Sequence, residues 1–156
     1  MKRFLLSLVL FLLGINTLFA QRDTEHWIAP YYASTGGYTN TLFLSTDSTV
    51  PFEVKIYNNN TLVTTPAPII ISKGSPQTFT VPATLIASTT GFQETTQGLY
   101  LKGDKPFFCT LRMAQSAHGE IVTSKGKAGI GKLFYSVSAP NSSGGSYNFT
   151  TGIMAT

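Results

Sequence analysis

Cys109, His26 and His118 are the chain's only cysteine and only histidines, so nucleophilic or metal chemistry would have to run through them. A cysteine nucleophile needs a base within hydrogen-bond reach. Cys109 instead alternates with Phe107 and Leu111, which on a strand puts the three on one face. A core cysteine behaves as a small hydrophobe whose thiol pKa is raised. His118-Gly119-Glu120 offers two metal ligands where a zinc site takes three or four, and it reads as a solvated loop. Glycoside hydrolysis needs a carboxylate pair facing across a cleft. The seven acids, Asp23, Glu25, Asp47, Glu53, Glu94, Asp104 and Glu120, show no spacing that singles one pair out. The reading is therefore noncatalytic, with no metal and no cofactor implied.

The stretch Gly126-Lys127-Ala128-Gly129-Ile130-Gly131-Lys132 fits the G-x-x-x-x-G-K pattern of a phosphate loop, but Leu133 stands where Ser or Thr would hold Mg²⁺. A phosphate loop must also open a helix whose amides face the anion. Here alternating Leu133, Tyr135 and Val137 predict a strand. The stretch reads as a flexible glycine-rich connection exposing Lys125, Lys127 and Lys132. These are the only local group of bases, and a nucleic-acid footprint needs a larger cluster, so nucleic acid is excluded as a partner. Trp27, Tyr31, Tyr32 and Tyr38 make residues 27 to 38 aromatic, and exposed rings are what sugars, peptides and proteins pack upon. Burial as strand core is the competing fate. Trp27 is expected inside, while the tyrosines suit a wet surface.

The elements that must carry these residues follow from composition. The chain has 156 residues, 12% of them charged and 42% hydrophobic, with 14 glycines and 8 prolines. That length is about one domain. One cysteine rules out a disulfide framework, and Ser, Thr and Gly in place of Lys and Glu predict strands over helices. Residues 1–20 read as a secretory leader: Lys2 and Arg3, an apolar run from Phe4 to Leu13, then Leu18-Phe19-Ala20 before Gln21. The run is too short to span a bilayer, which takes about 20 residues. Cleavage after Ala20 leaves a single domain over 21–156, with nine bases against seven acids, and strand-like sequence at Tyr147 to Thr150 near its end reads as that of an incomplete piece.

Period-two alternation is sharpest in Phe52-Glu53-Val54-Lys55-Ile56 and recurs in Phe107 to Met113, where Phe108, Thr110 and Arg112 take the opposite face. Further strands are predicted at Trp27–Tyr32, Thr41–Ser45, Leu62–Thr64, Ile69–Ser72, Gln77–Val81, Leu99–Lys102, Ile121–Thr123 and Tyr147–Thr151. Turn chemistry separates them at Gly36-Gly37, Asn58-Asn59-Asn60, Thr65 to Pro68, Lys73 to Pro76, Gly103-Asp104 and Ser142 to Gly145. The asparagine triplet predicts a hairpin between Val54–Tyr57 and Leu62–Thr64. Pro82 to Ala87 is the single helical candidate, a connector. The predicted fold is all-β, an antiparallel sandwich of several short strands.

Three segments carry a resemblance to the IgGFc-binding protein N-terminal domain family of large secreted bacterial surface proteins. They are Glu25-His26-Trp27-Ile28-Ala29-Pro30, Gly103-Asp104-Lys105-Pro106-Phe107 and Lys125 to Tyr135, the last similar to a K-G-x-x-x-x-G-x-x-[FY]-[FY] pattern. The likeness runs from Thr24 to Thr156. It implies an all-β extracellular module within a longer chain, and its motifs mark strand boundaries, so no functional residue carries over. Activity belongs to sites and not to folds, so immunoglobulin binding is not inferred.

The expected function is a secreted or cell-surface structural or adhesive module that meets an extracellular protein or glycan. Trp27, Tyr31, Tyr32, Tyr38, Lys125, Lys127 and Lys132 are its contact candidates. The alternative is a carbohydrate-binding accessory domain or a carbohydrate-active enzyme.

Overall fold

The computed structural model describes residues 21–33, 38–63, 68–90, 93–116, 118–135 and 152–154. The predicted leader, residues 1–20, lies outside these, as do Gly36-Gly37, residues 64–67, 142–145 and 147–151. The described chain is all-β. In order it forms β1 (Asp23–Ile28), β2 (Tyr31–Tyr32), β3 (Thr39–Ser45), β4 (Phe52–Asn58), β5 (Thr61–Leu62), β6 (Ile69–Ile71), β7 (Gln77–Val81), α1 (Ala83–Ile86), β8 (Ala87–Ser88), β9 (Leu99–Gln115), β10 (His118–Thr123) and a 3-10 turn (Gly126–Gly129).

One curled antiparallel sheet holds eight of these strands, and β9 is its spine. The first part of β9 pairs with β1 on one side and β4 on the other; its second part pairs with β3 and β10. Alternation explains how one strand serves both parts. Leu99, Leu101, Gly103, Phe107, Cys109, Leu111 and Met113 all point into the core, and the residues between them point out. Phe52, Val54 and Ile56 of β4 and Leu42 and Leu44 of β3 complete the same cluster, so both walls close on one core. Each such side chain contributes roughly 1.5–3 kcal/mol by leaving water, which is what holds a chain that has no disulfide.

Gly103-Asp104 does not break the strand, contrary to the turn predicted there. β1 reaches from Phe107 to Lys102 while advancing only from Asp23 to Glu25, so β9 bulges outward over the residues between. A bulge adds twist and bend without ending the pairing, and it accommodates Pro106, which lacks the N–H a regular ladder needs. Gly103 is required at this bend, because a β-carbon would lie 2.8 Å from the Phe52 ring and 3.2 Å from that of Phe107.

Several local expectations hold. The hairpin forms through Asn59 and Asn60, whose φ angles of 45° and 62° are those of a primed two-residue turn. Gly74 turns the chain between Ser72 and Ser75 at φ 79°. Residues 83–86 make the expected short helix. Others do not. The 3-10 turn is a second helical element beyond the single connector foreseen. His118-Gly119-Glu120 belongs to an edge strand and not to a loop. Leu133 to Tyr135 form no strand and lie exposed, Leu133 at 72%, and none of the described strands pairs with them; Ser136 and Val137 lie outside the described residues. Among the described residues no helix is long and apolar enough to cross a membrane.

Candidate functional site

The outer face of β1, β9 and β4 brings aromatic and charged side chains together in adjacent rungs. With His26, Ile28, Leu99, Leu101, Val54 and Ile56 turned inward, Trp27, Tyr100 and Tyr57 must turn outward. Register places the three directly opposite one another across adjacent strands. Trp27 and Tyr100 have ring centroids 5.4 Å apart at 32°, and Tyr100 and Tyr57 are 5.7 Å apart at 34°. At that spacing the rings overlap partially, as aromatic pairs prefer, and all three are half-buried. The next rung along the same face is Glu25, Lys102 and Lys55.

Glu25 ties this row to the glycine-rich stretch. The Tyr100 hydroxyl donates to Glu25 Oε1 at 2.5 Å, and Lys127 Nζ lies 2.9 Å from Glu25 Oε2 and 4.0 Å from Asp23 Oδ1. The lysine and the tyrosine hydroxyl hold the Glu25 carboxyl below its usual range. The same contacts raise Lys127, while burial and the Glu25 carboxylate push Tyr100 up to about 12. Asp23 is more confined. Burial would raise its pKa, but the backbone amides of Lys127 (2.9 Å to Oδ2) and Thr24 (2.7 Å to Oδ1) and the Lys127 charge outweigh that and lower it. The stretch that mimics a phosphate loop thus does bind an anion, and the anion is its own Asp23.

The seven residues predicted as contacts are dispersed. Trp27 and Lys127 belong to this face, and Trp27 packs against Tyr100 on the outside of the sheet and not in the core, because the inward positions of β1 go to His26 and Ile28. Tyr31 and Tyr38 meet edge to face at 6.0 Å and pack on the core. The Tyr31 hydroxyl donates to the buried Asn40 Oδ1 at 2.7 Å, and burial raises its pKa. Tyr32 is half-buried where β2 runs parallel to β8. Lys125 and Lys132 are exposed. Sequence reasoning missed Tyr57, Tyr100 and Glu25. The signal was present: both tyrosines fall out of phase with the apolar positions of their strands, which assigns them outward, but only cross-strand register makes them neighbours.

Other candidate groups separate. Cys109 is buried in the core, which pushes its thiol up to about 12. Among the described residues no three of His, Cys, Asp and Glu gather as a metal site would require. Compared with protein-family models, curated proteins and solved structures, the chain matches none.

Proposed function

We propose that this chain is a noncatalytic β module, exported by its leader to the medium or the cell surface, with a structural or adhesive role. Its contact surface is the outer face of β1, β9 and β4. The observation that carries the reading is the row of Trp27, Tyr100 and Tyr57, three half-buried rings beside a rung of charged groups. Such a mixture of apolar area and polar handles is what extracellular proteins and glycans pack upon. The three segments that resemble the IgGFc-binding N-terminal domain family meet at the start of β1, through His26 with Phe107 and Glu25 with Lys127. Their convergence supports reading them as one structural unit.

Trp27 is the only tryptophan, so its fluorescence reports this face without labelling. The test presents the purified chain to an array of glycans, matrix proteins and cell surfaces, then follows emission on titration. Binding that shifts emission and is lost in Tyr100→Ala supports the adhesive role. No binding to any target reduces the role to that of a spacer.

A glycan-binding accessory domain or carbohydrate-active enzyme is the second reading, motivated by Asp23 and Glu25 beside the rings. A general acid needs a raised carboxyl pKa, and both carboxyls here are lowered. Polysaccharide turnover abolished by Glu25→Gln would nevertheless establish the enzyme.

A further inference from the structure

His26 is an imidazole with no exposed surface, seated where β1 crosses the bulge of β9. Its ring meets Phe107 edge-on at 4.5 Å. Nε2 faces two carbonyl oxygens, Phe107 at 2.8 Å and Asp23 at 3.2 Å. Carbonyls only accept, so the proton must sit on Nε2 and Nδ1 carries the lone pair. Nδ1 is buried with no hydrogen-bond partner. A second proton would therefore add a buried N–H without an acceptor and a charge without solvent, both costly.

We infer that His26 is an acid-sensitive latch: its neutral ring holds β1 to the bulge of β9, and its protonation frees β1 while β3, β4 and β9 remain paired. The charged groups around it do not rescue the imidazolium. On β1, Asp23 is committed to the amides of Thr24 and Lys127 and to the Lys127 charge. On the 3-10 turn, Lys127 is itself a cation paired with Asp23 and Glu25. From β9 come the Phe107 carbonyl, the neutral Cys109 thiol in the core and Lys102, which points outward. Burial accordingly outweighs the carbonyls and Asp23 and lowers the His26 pKa. Release is local because β1 pairs with β9 alone among the described strands, so freeing it breaks one ladder and the Asp23 and Glu25 contacts to the 3-10 turn, and such edges open below the global unfolding energy.

The test is amide hydrogen exchange on the full chain from pH 7 to 5, corrected for intrinsic rates, with His26→Gln as the variant that keeps a donor but cannot charge. One linked proton makes opening up to about tenfold more frequent per pH unit. The β1 amides are expected to approach that slope in the native chain and to lose it in His26→Gln, and at every pH to exchange faster than the β3 and β4 amides, which open only with the whole chain. Protection of the β1 amides equal to that of β3 and β4, or the same slope in the variant, overturns the latch. Should His26→Gln not fold, the ring-proton resonances of the native chain decide: titration below the ordinary value of 6.5, coincident with β1 opening, supports the inference, and titration at or above it overturns it.

Discussion

Gly126 sits so close to Asp23 that a β-carbon on it would lie 2.4 Å from the Asp23 β-carbon. Its φ of +57° is also one that side chains disfavour. The close approach is what lets the Lys127 amide reach the Asp23 carboxylate, so the glycine serves the docking of the 3-10 turn upon β1. Gly126→Ala is expected to destabilise the fold by about 2–4 kcal/mol, combining left-handed strain with overpacking. Gly129→Ala, whose β-carbon would meet only Lys125 at 3.3 Å, is expected to cost less than about 1 kcal/mol. Urea denaturation of the two variants separates them.

Stability is expected to fall in two steps on the acid side. The His26 pKa is lowered by burial, so the unfolded chain takes up protons first and stability declines as pH drops below 6.5. Glu25 and Asp23 are also lowered, and their contribution is present above 4.5 and 3.8 and is lost below those values. On the alkaline side Tyr100 is raised, so stability declines as pH climbs from 10.0 toward about 12. Midpoints of thermal unfolding across pH give the profile. A midpoint flat between pH 7 and 5 contradicts the assigned environment of His26.

Phe107→Ala is expected to cost about 3–5 kcal/mol, since it removes a buried ring that touches both His26 and Phe52. Leu133→Ala is expected to change stability by no more than about 0.5 kcal/mol, because Leu133 is exposed. Equilibrium unfolding that shows a large effect at Leu133 would mean its side chain is packed after all.

The Cys109 thiol is expected to resist a disulfide-exchange reagent at pH 8 in the folded chain and to react freely in denaturant, since burial keeps it protonated. Stopped-flow absorbance measures both rates. Comparable rates in the two states would place the thiol at the surface.

Much of the architecture can be read from local pattern. Phe52 to Ile56 and Phe107 to Met113 alternate as they must when one face is wet, and Asn59-Asn60 makes a tight turn because asparagine tolerates positive φ. Leu133 to Tyr135 has the same alternation without forming a strand. Periodicity says which face a residue would take in a sheet, but a strand also needs a partner, and the partner lies elsewhere in the chain. The site shows the same division. Trp27 and Lys127 were recognisable as candidates, whereas Tyr100 and Glu25 gained importance only through the residues across from them.

Composition, alternation and turn chemistry by themselves determined an all-β body and a cysteine turned toward the core, because each depends on the properties of a few neighbouring residues. Tertiary structure alone decided that Leu99 to Gln115 runs as one bulged spine, that the lysine-rich stretch folds onto Asp23, and that Trp27, Tyr100 and Tyr57 form one row. Those outcomes depend on register between segments up to 104 residues apart. Register is set by how the buried faces fit together, which no single stretch of chain contains.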